Sequence, residues 1–331
     1  MGVYHVSGLG TSPGALTMPL SIVYILQAAA QLGNPSAEAF FAGSGEMEGK
    51  GSYEKIAGLP EHIIAFDSPE VIHGRMPLRY ESRWFRMRGS KQEPIERPVV
   101  RYLEKLVRYL NDEFDVCLTL STENKLFLVE TDYQDFEDSF EKMGITLEGL
   151  RRKEVWLNLI GGTNQMNLAL LLSGSFTAIP SRYYYVFQNT LALEPSWIPK
   201  PNKNNINTIV KDVMDRWYDL PPLDMGLGSI IRELYDKFSK EGRDFISKNE
   251  LAQILKHKNP NYSDEFIPKL IRARYLVSVD SNTFTRGDML DRVLAMFGKI
   301  VQSNVRNPSD WQKWAKEQGI LKEVPFNEVS C

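Results

Sequence analysis

The stretch from Glu154 to Leu172, EVWLNLIGGTNQMNLALLL, sets the strongest limit on what this chain can become. It opens on an apolar run with hydrophobes on both faces, the pattern of a strand buried inside a parallel sheet. It breaks at Gly161-Gly162 and resumes as a helix with Met166 and Leu170 one turn apart. A strand that ends in two glycines and feeds a helix brings bare backbone and the unpaired N–H groups of a first helical turn to one place. Such an arrangement attracts anions, most often phosphate. Thr163, Asn164 and Gln165 add a hydroxyl and two amides there. The same residues also suit a tight strand-to-helix turn with no ligand.

A second turn of this kind stands at the start of the chain. Val3 to Gly8 reads as a strand, followed by Leu9-Gly10-Thr11-Ser12-Pro13 and a helix from about Gly14 to Gln31. Pro13 suits the first turn of a helix, where its missing N–H costs nothing. Ser12 then stands where an N-cap or phosphate-facing hydroxyl belongs. Two such turns predict an open α/β sheet with a pocket at the carboxyl ends of its strands.

The chain has 331 residues, enough for two domains, and a net charge of -3, which argues against a protein that coats nucleic acid. Its two cysteines, Cys117 and Cys331, predict neither a disulfide framework nor a zinc site, and so a reducing, cytoplasmic setting. No membrane span is expected. The longest apolar run, Ala15 to Leu32, is interrupted by Pro19, Ser21 and Gln27 and reads as a buried helix.

Residues 1–195 predict a doubly wound, Rossmann-like parallel sheet. Strands are expected at 37–42, 62–66, 116–120, 125–129 and 183–187, and helices at 97–111 and 133–143. An arm at 74–98 interleaves Arg75, Arg79, Arg83, Arg86, Arg88, Lys91 and Arg97 with Tyr80, Trp84 and Phe85. That mixture suits phosphates and stacked bases, and equally a solvated loop or a dimer contact. Residues 196–224, rich in Pro and Asn, read as a linker with a short helix inside it. Residues 225–331 read as a smaller winged helix-turn-helix domain. Its helices are expected at 227–238, 247–257 and 263–274, followed by a hairpin over 275–286 and closing helices at 289–302 and 308–318. The third helix carries Asp264 and Glu265 near its start, and residues 223–305 hold thirteen basic and eleven acidic side chains. That balance is no footprint for DNA, so DNA binding is not the favoured role.

The two turns together, Gly10-Thr11-Ser12-Pro13-Gly14 and Gly161-Gly162-Thr163-Asn164-Gln165-Met166, resemble those of the CARF family, the CRISPR-associated Rossmann-fold domains. The resemblance covers about residues 1–190. With the winged helix behind it, the chain is most similar to the stand-alone ring nucleases of that family. The resemblance implies a homodimer with one pocket on its two-fold axis, holding a cyclic oligoadenylate, often the four-membered ring. Gly10, Thr11, Ser12, Gly161, Gly162, Thr163, Asn164 and Gln165 would line that pocket.

No effector is evident. The histidines His5, His62, His73 and His257 lack the arginine spacing of the family's RNA-cutting domains, and Glu123-Asn124-Lys125 is only the tail of a metal-nuclease motif. Neither a metal nor a cofactor is expected, and Pro13 stands where a dinucleotide fingerprint needs its third glycine. The resemblance then implies ring cleavage, a transcription regulator or a non-cleaving sensor. In cleavage the ribose 2′-OH attacks its own phosphate, with Ser12 orienting it and backbone N–H groups holding the oxygens. The family lysine is Asn164 here, so Ser12 and Asn164 would be the catalytic pair, and Arg83, Arg86 or Arg182 would supply the missing charge.

Overall fold

The computed structural model describes residues 2–42, 58–120, 123–186, 191–220, 227–258 and 266–329. The chain runs β1 (Val3–Gly8), α1 (Gly14–Gln31), α2 (Pro35–Phe41), β2 (Pro60–Asp67), α3 (Pro69–Ile72), β3 (Tyr80–Ser82), β4 (Met87–Gly89), α4 (Glu96–Phe114), β5 (Lys125–Glu130), α5 (Phe136–Gly149), β6 (Val155–Asn158), α6 (Asn164–Thr177), β7 (Arg182–Val186), α7 (Ile206–Met214) and β8 (Trp217–Leu220). It continues with α8 (Leu227–Tyr235), β9 (Ile246–Ser247), α9 (Lys248–Lys258), α10 (Phe266–Arg272), β10 (Leu276–Ser278), β11 (Thr283–Arg286), α11 (Asp288–Gln302), α12 (Pro308–Glu317) and β12 (Leu321–Pro325).

Seven strands form one sheet in the order β12-β5-β2-β1-β6-β7-β8. The five inner strands are parallel, and β12 and β8 close the edges antiparallel. This is the doubly wound α/β architecture that the alternation of strands and helices predicts. β1 is buried along its whole length. Strand order reverses there, with β2 and β5 on one side and β6 and β7 on the other, so the crevice between the ends of β1 and β6 is a topological switch point. Helices α1, α4 and α7 cover one face of the sheet, and α5 and α6 cover the other. One helix, α1, is long and apolar enough to cross a membrane, but 89% of it is buried inside the fold. Two of its polar side chains are paired there: Thr17 Oγ1 donates to the Leu193 carbonyl at 2.7 Å, and Ser21 meets the Tyr102 hydroxyl at 2.9 Å.

Two predicted strands take other forms. Residues 37–42 fall mostly in α2, because Asn34 accepts hydrogen bonds from the Ser36 and Ala37 amides and Pro35 stands at the first helical position. Ala37, Phe40 and Phe41 are then one buried helical face rather than a run of strand. Residues 116–120 stay irregular. Asp115 ends α4 in a left-handed conformation, and the Asn111 side chain brackets the Leu118 backbone with two hydrogen bonds of 2.7 and 2.8 Å. Only Leu120 bridges, to Val329, which lays the C-terminal tail beside this segment. Against expectation, Cys117 here is disulfide-bonded; Cys331 lies outside the described residues.

The composition-based linker also contributes to the sheet. Ile206, Ile209, Val210 and Val213 are buried by α7, and β8 is the edge strand beside β7. The smaller unit follows. Helix α8, β9, α9, α10 and the β10–β11 hairpin follow in that order, with β9 paired to β11. The Ser247 hydroxyl accepts from the Glu250 amide at 3.2 Å, as its capping-box sequence predicts. Residues 263–265 of the predicted third helix lie outside the described residues. The chain then returns to the first body. Trp311 of α12 packs edge-on to Phe127 and donates to Thr146 Oγ1 at 2.9 Å, and β12 pairs with β5 from Leu321↔Val129 to Pro325↔Lys125.

Candidate functional site

The two glycine turns meet at the switch point, and their contact explains most of the glycines. A Cβ on Gly8 would lie 2.5 Å from the Gly161 carbonyl oxygen, and one on Gly161 would lie 2.0 Å from the Gly8 oxygen. Gly162 has φ +83°, and its Cβ would lie 2.8 Å from the Leu9 oxygen. These three glycines let one turn lie on the other. Gly10 differs, because the nearest atom to its Cβ would be Gly162 Cα at an ordinary 3.8 Å. Space is left beside Gly10 that the fold itself does not use.

Asn158, at the end of β6, locks this junction. It is buried, its Nδ2 donates to Ser7 Oγ at 3.1 Å and to the Ala15 carbonyl at 3.0 Å, and its Oδ1 accepts from the Ile160 amide at 3.1 Å. One side chain thus ties β1, the start of α1 and the second turn together. Sequence reasoning passed over it; the available signal was an amide in an otherwise apolar buried strand. Thr163 is the N-cap of α6, its Oγ1 accepting from the Met166 amide at 3.2 Å. Asn164 and Gln165 are the first two residues of α6, where helix geometry supplies no carbonyl partner for their N–H groups. Ser12 precedes α1 and accepts from the Ala15 amide through its carbonyl at 3.1 Å; the N-cap position itself belongs to Pro13.

A cleft of about 510 Å³ opens over this junction. Gly10, Thr11, Ser12, Gly162 and Thr163 line it as expected, together with Asp67, Ser68, Glu70 and Tyr133, whereas Gly161, Asn164 and Gln165 are not in the lining. Asp67, the last residue of β2, is 3% exposed. Its Oδ1 accepts from the Ser68 amide at 2.8 Å, whereas its Oδ2 is buried without a hydrogen-bond partner. Burial pushes its carboxyl up to about 7, Glu70 adds to the rise, and the Ser68 N–H opposes it. Glu70, by contrast, is held below the usual carboxylate range by its own backbone N–H and by the Ser68 hydroxyl. Neither carboxyl figured among the sequence-derived candidates. A lone acid ending an apolar strand, followed by Ser-Pro, was the signal.

The arginines proposed from sequence do not join this cleft. Arg83 donates through its backbone to Glu194 at 2.6 Å and through Nη2 to the Ser196 carbonyl at 2.9 Å. Arg86 is exposed, with φ 51°, between β3 and β4. The aromatics of that arm are packing residues, with Tyr80 and Trp84 buried in the core of the α1 and α4 face and Phe85 packed against it. Arg182 stands at the amino-terminal start of β7, opposite Trp156 in register. It lies 4.4 Å from both the Phe40 and Trp156 rings and pairs with Asp219 at 3.1 Å. His5 belongs to the same cluster, with Nδ1 3.2 Å from the Tyr184 hydroxyl, and burial pushes it down to about 3, with Arg182 contributing. His5 lies three strand steps from Gly8, about 10 Å. The cleft therefore has no Lys or Arg in its lining among the described residues, and no three His, Cys, Asp or Glu among them converge to hold a metal ion.

No family model matches the chain. A protein of Archaeoglobus fulgidus, described only as uncharacterized, is 42% identical over 332 residues, the whole of both chains. Among solved structures, Enterococcus italicus Csm6 bound to cyclic hexa-2′-fluoro-hexa-dAMP aligns with a TM-score of 0.35 and 13% identity, over 82% of this chain and 53% of Csm6. This chain thus spans about half the length of that protein.

Proposed function

The chain belongs to one family with the Archaeoglobus fulgidus protein, and we propose that its members bind a cyclic oligoadenylate in the cleft between the two glycine turns. The observation that carries this reading is the junction itself. Two turns in contact at a switch point present three hydroxyls, two helix starts and the open space beside Gly10. Cyclic tetra-adenylate is the leading ligand, since its repeated phosphates match a two-fold axis. A homodimer supplies that axis. Leu168 and Leu172, one and two turns along α6 from Asn164, are 55% and 40% exposed, which supports α6 as the face where two copies meet.

In this reading the ring is cleaved without a metal, as the turn pair's CARF resemblance implies, and type III CRISPR signalling is switched off. The ribose 2′-OH attacks the adjacent phosphorus in line, leaving a 2′,3′-cyclic phosphate and a free 5′-OH. Ser12 orients the reacting groups, and the amides of Asn164 and Gln165 hold the phosphoryl oxygens. Backbone dipoles carry the electrostatic role that a lysine has in the family pattern. Incubation with labelled cyclic tetra-adenylate in EDTA is the direct test: linear di-adenylate with a cyclic phosphate end supports cleavage, and a protein that does not bind the ring refutes the ligand.

A second reading is a sensor that binds without cutting. The observation in its favour is the cleft wall without a cationic side chain; Asn164, which stands where the family pattern has a lysine, starts α6 just beyond that wall. A ring recovered intact after long incubation selects it. Ligand-dependent operator binding, through the exposed Lys269 and Arg272 of α10, would mark a regulator instead.

A further inference from the structure

Resting on the cleavage reading above, we propose that Asp67 is the proton acceptor for the attacking ribose 2′-OH. That reading otherwise lacks a base, because Ser12, Thr163 and Asn164 offer only hydroxyls and an amide near neutral pH.

The fold aims Asp67 at the reacting side of the cleft. Along β2, Ile64 and Phe66 pack on the α5 and α6 face, and Ile63 and Ala65 on the α1 and α4 face. Alternation therefore puts Asp67 on the face of α1, whose first turn follows Ser12. β1 and β2 stay in register to their ends: Gly8 lies beside Phe66, and the Leu9 amide donates to the Phe66 carbonyl at 2.8 Å. Asp67 is the next residue, and it lines the cleft with Gly10, Thr11 and Ser12. One oxygen is fixed by the Ser68 amide, and the other is buried and bare. Glu194 is also buried with one bare oxygen, but it does not line this cleft; Asp67 combines an unpartnered buried oxygen with a place in the cleft lining. Asp67 is oriented through Oδ1 and unpartnered at Oδ2, which a bound ring reaches by displacing what covers it, and an oxygen so held is suited to exchange a proton.

Its surroundings suit the task at neutral pH. Burial has brought the carboxyl to about 7, where both protonation states are populated. The ionisable groups around it are Glu70 on α3, Tyr133 after β5, and Glu130, which stands opposite Asp67 in the strand register and is held by His73 at 2.7 Å. Gly10 to Ala15 carry none. In the step itself, the 2′ oxygen bonds to phosphorus as its proton passes to Asp67 Oδ2. The bond from phosphorus to the 5′ oxygen breaks, its electron pair stays on that oxygen, and the oxygen takes a proton from water. Asp67 returns its proton to solvent as the product leaves. The reaction is a transesterification and needs no co-reactant.

The test compares the full-length protein with Asp67→Asn and Asp67→Glu, measuring binding of cyclic tetra-adenylate and single-turnover cleavage in EDTA from pH 5.5 to 8.5. Asp67→Asn is expected to bind the ring within about threefold of wild type and to cleave about 100-fold more slowly or worse. Wild-type cleavage should rise with pH through about 7 and level off. The Asn variant should lose that rise, and Asp67→Glu should recover part of the rate. Equal rates for wild type and Asp67→Asn, with the same pH profile, would overturn the assignment and leave ring cleavage standing. A wild type that binds the ring but never cuts it would overturn cleavage and this role together.

Discussion

Asp67 also makes a prediction that needs no ligand. Its carboxyl rises from an ordinary 3.8 to about 7 in the folded protein, chiefly through burial. A raised carboxyl favours the folded state only while it is protonated. The contribution is fully present below the unfolded value of 3.8, falls as pH rises, and is gone above about 7. One pKa unit corresponds to about 1.4 kcal/mol, so wild type should lose about 4 kcal/mol relative to an unionisable variant across this window. Asp67→Asn is that variant. It keeps an acceptor for the Ser68 amide and adds a pH-independent offset for burying an amide, about 1–3 kcal/mol. The assay is urea unfolding of both proteins at half-unit steps from pH 4 to 8.5. The difference between the two stabilities should slope steadily between pH 4 and 7 and flatten beyond. Parallel curves would mean that Asp67 is ionised, and paired, at neutral pH in the folded protein, and the argument from its bare oxygen would fail.

Other substitutions separate fold from site. Gly161→Ala places a Cβ 2.0 Å from the Gly8 carbonyl oxygen, and should cost about 3 kcal/mol or more in thermal or urea unfolding. Gly10→Ala meets nothing closer than 3.8 Å, so its stability should stay within about 0.5 kcal/mol of wild type while affinity for the ring falls by tenfold or more in titration calorimetry. Ser12→Ala should slow ring cleavage by about tenfold, on the order of 1.4 kcal/mol in the barrier, measured at saturating ring. Neutralising Arg83 and Arg86 together should leave ring affinity within about twofold, since Arg83 is engaged with Ser196; a tenfold loss would mean that the arm reaches the cleft of a partner copy. Leu168→Glu with Leu172→Glu should yield a monomer by light scattering, and an unchanged dimer would move the interface off α6.

Much of the architecture is legible in the sequence where one periodicity dominates. Helix α1 runs over the predicted residues because one apolar segment starts at Pro13-Gly14 and its burial carries the helix through Pro19 to Gln31. The strands of the glycine turns are legible for the same reason. Failures occur where a cap or a distant partner decides. Asn34-Pro35 turns 37–42 into a helix, and Asn111 holds 116–120 out of the sheet. Pro and Asn content makes 196–224 look like a linker, although the apolar face of α7 is spaced for a helix. At the site, the turns are readable from Gly161-Gly162 and Gly8-Leu9-Gly10. The division of labour among their glycines is not, because it depends on one turn touching the other. Asp67 and Asn158 escape for a related reason. Each stands out locally as a polar residue ending an apolar strand, but the partners that decide its role, such as Ser7 and Ala15 for Asn158, are distant in the chain.

The return of the chain to β5 changes how the smaller unit relates to the rest. It is a parenthesis in the sheet body rather than a tail, entered after β8 and left before α12. It is also fastened along its length, with Ile300 in the core beneath α5 and α6 and Arg232, Arg292 and Lys299 paired to Glu148, Glu137 and Glu141. A cut at residue 225, the boundary that composition suggests, would also strip β12 from the sheet and leave β5 as a bare edge open to pairing with other chains. To separate the two bodies, one must lift out the middle and rejoin the ends.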